Sequence, residues 1–369
     1  MNIETLIYAY LAICFSMIIF NCICIFVFKY SETKIGKKSA KLENRIAEQI
    51  EKMKQGDQPD EKHKKYLCKK LKRIGNLTAL DETIERMFIE EPQAVKTYLT
   101  AIRPVFLYLA LEYKDRDSVI AAYYPYIIKR FHILQNKSFD LMIDTLFELL
   151  HSKSLYCREN ALQALYSTGD CDIVVKALKV IDCGSNFHHS KLLTDGLLEF
   201  SGSHRKLSAA LWKVFEDFSA PMKVTVLNYL RFSNPDCREE MIQLLTDGRQ
   251  DDETCFACIR YFGKYHFDPA YPLLLGFAEN KEERRWEYAA IASSALGIYP
   301  SDRTVKVLKT NLCSSNWYIR FNASESLEKL GLTYTDMIDI FDGNDRYARE
   351  ILQYRLDQRK VKNKEAISV

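Results

Sequence analysis

Residues 157–165 read CRENALQAL, and five more segments with the same spacing of residue types follow at intervals of 31 to 34 residues. Each segment has a small or slim residue three positions after its anchor residue and a large apolar residue seven positions after it. These two positions lie on one face of an α-helix, where a small side chain lets a neighbouring helix approach. The pattern therefore predicts helices packed in tandem. The anchors are Arg158, Lys191, Lys223, Cys255, Ala289 and Arg320; the small residues are Ala161, Thr194, Val226, Cys258, Ala292 and Ala323; the large ones are Leu165, Leu198, Leu230, Phe262, Leu296 and Leu327.

Each predicted helix is followed by the signals of a helix end and of a second helix. A Gly or Asn comes after every segment, and both tolerate the left-handed conformation that closes a helix. These residues are Gly169, Gly202, Asn234 and Gly331, with Gly263 and Gly297 three positions earlier in their repeats. Aspartates then stand where a helix N-cap is needed, at Asp172, Asp236, Asp268, Asp302 and Asp336. One helix pair cannot bury its own apolar face, so we expect the pairs to stack.

The repeated segments resemble HEAT repeats of the bacterial type. Residues 318–331 read YIRFNASESLEKLG, in which an Arg is followed by Ala, by a Leu and then by Leu-Gly. Residues 158–165 match in the same way, whereas Lys191 and Lys223 replace the Arg and Cys255 abandons it. The resemblance covers about residues 126–345. It implies an all-α fold, an α-α superhelix or solenoid, and a class of protein that mostly binds other proteins.

The first thirty residues predict a membrane anchor. Residues 6–28 form a run of 23 residues interrupted only by isolated uncharged polar residues, and about 20 apolar residues span a bilayer as a helix. A secretory signal peptide would need preceding cations, a shorter apolar run and a small-residue cleavage site. The first cations instead follow the run, so the positive-inside rule predicts a single-pass protein of the cell membrane with its N-terminus outside and its C-terminal domain in the cytoplasm. Those cations include Lys29, Lys34, Lys37, Lys38 and Lys41.

We expect four regions along the chain. Residues 1–28 are the transmembrane anchor, 29–65 a basic juxtamembrane stalk, 66–345 the repeat array with 66–125 as a degenerate N-terminal cap, and 346–369 a C-terminal helix and charged tail. Residues 29–73 carry 15 Lys or Arg and 7 Asp or Glu, a net charge of +8. The five lysines named above are either contacts for anionic lipid headgroups or part of a solvated helix. Leu42, Ile46, Ile50 and Met53 form a short apolar stripe that leaves dimerisation open.

Two sets of side chains in the array are candidates for a role. Trp286 and Trp317 start repeats where helices emerge from loops, and Tyr318 follows the second. Core filling is the first interpretation of these aromatic side chains, and anchoring a protein partner is the second. Arg158 and Arg320 recur at repeat spacing, which favours a structural role in tying one repeat to its neighbour.

The remaining motifs predict neither a cofactor nor a metal. Cys255 and Cys258 form a lone CxxC with no second pair for zinc, and the eleven cysteines of the chain follow no disulfide framework. His188 and His189 are adjacent, so they point apart on a helix and chelate poorly. The acidic residues 339–345 lack the spacing of an EF-hand loop. The sequence also has no phosphate-binding glycine loop and no nucleophile elbow.

Three functions compete. A membrane-anchored scaffold or adaptor that binds a protein partner at the cytoplasmic membrane face fits best, with membrane proteins among the candidate partners. A lyase-type enzyme built on HEAT-like repeats is one alternative, but no catalytic constellation supports it, so we expect no enzyme activity. A nucleic-acid-binding array is the other, but residues 74–369 carry a net charge of −4, and phosphate binding needs a basic face.

Overall fold

The structure is a computed structural model that describes residues 3–135, 140–233, 236–280 and 282–367. These residues form helices, turns and irregular loops, and none of them forms a strand, so the predicted all-α class is confirmed. The chain divides into two compact units, Met1–Asn186 and Phe187–Val369. We describe each unit by itself.

The described part of the first unit, residues 3–135 and 140–186, contains ten α-helices. They are α1 (Ile3–Lys54), α2 (Glu61–Leu71), α3 (Ile74–Glu90), α4 (Pro92–Ala101), α5 (Arg103–Lys114), α6 (Ser118–Ala121), α7 (Tyr123–Arg130), α8 (Leu141–Leu149), α9 (Leu155–Tyr166) and α10 (Cys171–Cys183). Its core is built from apolar side chains of α2 to α10 together with the second half of α1.

In the second unit, residues 187–233, 236–280 and 282–367 are described, and they form eleven α-helices. They are α11 (Ser190–Leu198), α12 (His204–Lys213), α13 (Ala220–Ser233), α14 (Arg238–Thr246), α15 (Asp252–Phe262), α16 (Tyr271–Ala278), α17 (Trp286–Ala295), α18 (Asp302–Leu312), α19 (Trp317–Lys329), α20 (Ile338–Phe341) and α21 (Arg346–Ile367). Short 3-10 helices cover Phe215–Asp217, Asp268–Ala270, Glu283–Arg285, Leu296–Ile298 and Thr335–Met337.

The six repeated segments are the helices α9, α11, α13, α15, α17 and α19. All six small residues at the third position are buried, and five of the six large residues are buried as well. The exception is Leu198, which is half-buried beside the buried Leu197. In the second unit α11 packs on α13, α13 on α15, α15 on α17, α17 on α19, and α19 on α21. The small residues therefore lie where consecutive repeats meet, because they let the helix axes approach.

The glycines fall into two groups that the sequence pattern did not separate. Gly169 and Gly331 have positive φ angles of 76° and 81° and close their helices as predicted. At Gly263 an added Cβ would lie 3.0 Å from the Cα of Ala295, and at Gly297 it would lie 2.9 Å from Oγ of Ser326. These two glycines are therefore needed for close approach of the next repeat and not for a left-handed turn. Gly202 lies in the loop after α11, and Asn234 lies outside the described residues.

The predicted N-caps are displaced by one or two residues in several helices. Asp170, not Asp172, caps α10 by accepting hydrogen bonds from the Asp172 and Ile173 amides at 2.9 and 3.3 Å. Ser301, not Asp302, caps α18. Aspartate is favourable both at the cap and in the first turn, where it faces the positive end of the helix dipole, so its presence alone does not fix the position. Asp236 directly precedes Cys237, which is the N-cap of α14. Asp268 is the first residue of a 3-10 helix whose N-cap is Phe267. Asp336 accepts hydrogen bonds from the amide and the hydroxyl of Thr333.

One helix, α1, crosses the predicted boundary between anchor and stalk. Among the described residues it is the one helix that is long and apolar enough to span a membrane. Its most apolar 18-residue stretch has no buried residue. The helices α4 and α5 together also meet these criteria, but they meet at a 60° bend and bury most of their apolar side chains in the unit, with Leu111 exposed.

The second half of α1 belongs to the core of the first unit. Leu42, Ile46 and Ile50 are 3%, 0% and 4% exposed, and α1 packs against α3 and α4. The apolar stripe of the predicted stalk is therefore covered within the chain. The C-terminal segment is also packed: Ala348 and Leu352 of α21 are buried against α19.

Candidate partner-binding surface

Three aromatic residues named from the sequence lie together on the second unit. Trp286 is the first residue of α17, and Trp317 and Tyr318 are the first two of α19. The Trp286 and Tyr318 rings stack with centroids 5.3 Å apart, and the Trp317 and Tyr318 rings meet edge to face at 5.1 Å. Asn316 is the N-cap of α19 and accepts hydrogen bonds from the Tyr318 and Ile319 amides, so Trp317 and Tyr318 lie in the first turn of the helix.

The three rings differ in how much of them faces solvent. Trp317 and Tyr318 are 53% and 56% exposed. Trp286 is half-buried and packs against Ala289 and Ala290. Core filling therefore describes Trp286 in part but does not describe Trp317 or Tyr318. The third tryptophan of the chain, Trp212, is half-buried and stacks on Phe215 elsewhere in this unit.

Two further aromatic residues extend this group. Phe321 stacks on Trp317 with centroids 4.9 Å apart, and the Arg355 guanidinium lies 4.3 Å from the Phe321 ring centre. Tyr347 of α21 is 65% exposed, and the guanidinium of Arg320 lies 5.3 Å from its ring centre. A cation over the face of an aromatic ring is attracted to the ring, and this attraction holds the ring in place. We call Trp286, Trp317, Tyr318, Phe321 and Tyr347 the aromatic surface.

The sequence contained a signal for only part of this surface. Phe321 follows Trp317 by four residues and so shares its helix face. Tyr347 lies 26 residues beyond Phe321, and its place depends on how α21 packs on α19, which no local pattern specifies.

The recurring arginines make the same contacts in both units. Nη1 of Arg158 donates to the carbonyls of Ser152 and Lys153 at 2.8 and 3.1 Å. Nη1 of Arg320 donates to the carbonyls of Ser314 and Ser315 at 2.5 and 3.1 Å. Each guanidinium thus fastens the loop that precedes its own helix, a geometry that suits a structural role. Arg349 of α21 donates in the same way to the Gly343 carbonyl, which sequence reasoning missed.

An asparagine two residues after Arg158 and another two residues after Arg320 each reach the preceding repeat. Nδ2 of Asn160 donates to the Ala122 carbonyl, and Nδ2 of Asn322 donates to the Ala290 carbonyl, both at 2.8 Å. The four-residue pattern Arg-x-Asn-Ala therefore combines a loop tether, a link to the preceding repeat and a small packing residue.

The five lysines that are candidates for binding lipid headgroups all lie on α1. They follow its first half, residues 3–28, which we call the bare half because none of its residues with described exposure is buried. Lys29, Lys34, Lys37 and Lys41 are exposed. Lys38 is half-buried, and its Nζ lies beside Gly75 at the start of α3. The cations therefore lie where the helix enters the first unit.

The other singled-out residues have ordinary structural surroundings. Burial raises the pKa of both Cys255 and Cys258, which disfavours the reactive thiolate. Nδ1 of His189 accepts the Lys191 amide and caps α11. Asp339, in the acidic segment, pairs with Lys309 at 2.7 Å. Across the described parts of the chain, no three His, Cys, Asp or Glu residues group in a way that suits a metal ion.

No protein-family model matches the chain, and no curated protein matches it either. The likeness to HEAT repeats therefore rests on the residues quoted above and stays a prediction.

Proposed function

We propose that this protein is a membrane-anchored adaptor that binds a protein partner at the cytoplasmic face of the cell membrane. The observation that carries the proposal is the aromatic surface of the second unit. Exposed, neighbouring aromatic side chains are uncommon on proteins that bind nothing, and Trp and Tyr dominate the energetics of protein interfaces.

The anchor is the first half of α1. Its apolar side chains point in every direction around the helix and remain exposed, as with Phe20 and Phe26 at 65% and 74%. Such a helix is stable in lipid, where its backbone groups are satisfied internally. The cations that follow it favour a cytoplasmic location for everything beyond residue 28.

Residues 66–345 form the HEAT-like array in this proposal. Support comes from the packing of each repeat helix on the next within a unit, and from the Arg-x-Asn-Ala contacts at Arg158 and Arg320. Stacked repeats present an extended surface made of equivalent helices, which suits recognition of another protein.

The aromatic surface is ready to bind without rearrangement. The Trp317 ring is held between Tyr318 and Phe321, so little side-chain entropy is lost when a partner covers it. The guanidinium groups of Arg320 and Arg355 lie over the Tyr347 and Phe321 rings and help to hold them in place.

The test is affinity purification of the full chain from its own membrane in mild detergent. The double change Trp317→Ala and Tyr318→Ala should reduce recovery of a partner that co-purifies with the wild type by tenfold or more, because hot-spot residues contribute about 2 kcal/mol or more each. Phe187→Ala, which removes an aromatic ring that is 81% exposed elsewhere on the same unit, is the matched control and should change nothing. Equal recovery with the double variant would show that the partner binds elsewhere.

A further inference from the structure

Three helix ends of the first unit meet at one edge. Oη of Tyr113, near the end of α5, donates to the carbonyl of Leu71 at the end of α2, at 2.8 Å. Nζ of Lys114 lies 3.2 Å from the carboxylate of Glu148 near the end of α8. The connections that follow α2, α5 and α8 therefore lie side by side. We call this the near edge; it consists of residues 69–73, 114–122 and 150–156.

The near edge lies level with the place where the bare half of α1 ends. The helices α1 and α3 run parallel, because Ser39 contacts Thr83 at 2.8 Å and Lys54 contacts Glu91 at 2.9 Å. From Thr83 back to the start of α3 is nine residues, or about 14 Å, and from Ser39 back to Phe28 is eleven residues, or about 16 Å. The two levels agree within a few Å, and the headgroup layer of a bilayer is about 5–7 Å thick on each side.

The start of α9 is linked to α3 through the start of α7. Asn160 of α9 contacts the Ala122 carbonyl just before α7, and Oη of Tyr123 contacts Asp81 of α3 at 2.9 Å. Tyr156 lies one helical turn before Asn160, on the side of the near edge.

The exposed side chains of the near edge are basic and apolar together. Lys70, Arg73, Arg116 and Lys153 are exposed cations. The exposed apolar and aromatic side chains are Val119 at 72%, Ile120 at 37%, Leu155 at 40% and Tyr156 at 76%. Two exposed acids, Asp115 and Asp117, are also present. Cations beside apolar and aromatic side chains are the composition of surfaces that enter a membrane interface.

The opposite edge of the unit has a different charge. The exposed residues at the end of α3 include Glu90 and Glu91, and the turn before α2 contains Asp57. An exposed apolar residue is present there too, Ile89 at 79%, directly before Glu90 and Glu91 and three residues after the exposed Arg86. The two edges therefore offer a matched comparison within one unit.

We propose that the near edge is a second membrane contact, in which Tyr156, Leu155, Val119 and Ile120 enter the interface of an anionic bilayer and the neighbouring cations bind lipid phosphate. The proposal rests on the membrane anchoring by α1 put forward above. The anchor and this edge together fix the orientation of the first unit on the bilayer, since α1 joins them without a break.

The test uses the full chain in vesicles of phosphatidylcholine, with or without phosphatidylserine. A fluorescent amino acid replaces Tyr156, Ile89 or Phe20 in three separate variants, and quenching by lipids brominated near the headgroup and along the acyl chains is measured. In phosphatidylserine vesicles we expect several-fold stronger quenching at position 156 than at position 89. Adding Lys70→Glu and Lys153→Glu should reduce the quenching at 156 to the level at 89, with unchanged helix content.

The Phe20 probe separates the two proposals. Quenching at 20 without quenching at 156 would overturn the near-edge contact and leave the anchor intact. No quenching at 20 would overturn the anchoring itself. Quenching at 156 that persists in the charge-reversed variant would show that the cations are not part of the contact, which also contradicts the proposal.

Discussion

The two halves of α1 belong to one unbroken helix, yet they face different surroundings. In residues 3–28 the apolar side chains cover the whole circumference, and none of those with described exposure is buried. In residues 39–50 they form one stripe, and the stripe is covered by α3 and α4. A helix that is apolar on all sides needs lipid or a deep core, whereas a striped helix needs only a neighbour on one side. The distribution of apolar residues around the helix axis therefore distinguishes the first half of α1 from the second.

Polar contacts sharpen the difference. Ser39 is fully buried and its hydroxyl meets that of Thr83 at 2.8 Å, while Gln49 accepts the Asp60 amide at 2.8 Å. These hydrogen bonds favour packing of the second half of α1 against this part of the chain. Because the helix continues through residue 28, the proposed anchor is continuous with the part of α1 that packs in the first unit.

The largest effect is expected from truncating the covered stripe. Ile46→Ala removes a side chain that is 0% exposed and should lower the free energy of unfolding of the first unit by about 2–5 kcal/mol, since a cavity remains. Ile18→Ala, at a position 59% exposed in the bare half, should leave it unchanged. Urea unfolding of the full chain in detergent micelles, followed by circular dichroism, measures both. Equal losses would mean that the two halves are equivalent.

The continuity of α1 is tested at Gly36, which lies between the halves with no atom near its missing Cβ. Gly36→Pro should cost about 3 kcal/mol in local helix stability, because it removes a backbone hydrogen bond. Trypsin cleavage after Lys37 should then rise roughly a hundredfold, if cleavage follows local opening.

Gly36→Ala is the control, since alanine favours the helix by about 0.5–1 kcal/mol and should slow cleavage. Cleavage at the same rate in all three proteins would contradict a continuous helix.

A smaller loss tests whether tight packing also holds the second unit together. Ala323 is fully buried at the small position of α19, so Ala323→Leu should overpack the contact with α17 and cost about 1–3 kcal/mol. Glu325→Leu changes a half-buried residue whose partner is Lys329 and should cost little. Matching melting shifts for the two variants would refute the assigned register.

The smallest effect concerns the pH dependence of the first unit. His63 is buried with its Nε2 2.8 Å from Oη of Tyr98, and burial lowers its pKa below the ordinary value of 6.5. The unfolded chain then binds the proton more readily, so stability is complete above pH 6.5 and falls as the pH drops toward the lowered pKa. His63→Gln should flatten this dependence in urea titrations at several pH values. An unchanged slope would show that other groups are responsible.

Much of the fold followed from the sequence because small residues recur at one helical position. Ala161, Cys258 and Ala323 are buried where that position predicted. The role of Gly263 and Gly297 did not follow, since a glycine for close approach and a glycine for a left-handed turn look alike until the neighbouring helix is known.

The stripe of α1 shows a second limit of the sequence. Leu42 and Ile46 predicted an apolar face, but a second copy of the chain or another helix of the same chain would cover that face equally well. Of the aromatic surface, Trp286, Trp317 and Tyr318 were named from their positions at the starts of helices. Tyr347 was not, because only the packing of α21 brings it there.

The location of the two halves of α1 is the central claim, and a pair of C-terminal reporters tests it most directly. Alkaline phosphatase and a green fluorescent protein are fused separately to the full chain, and carbonate-washed membranes are assayed. We predict a bright fluorescent fusion and an inactive phosphatase, both retained in the membrane, because the bare half spans the bilayer and the covered half lies in the cytoplasm. Active phosphatase with a dark fluorescent fusion, or release of either fusion by carbonate, would contradict the account.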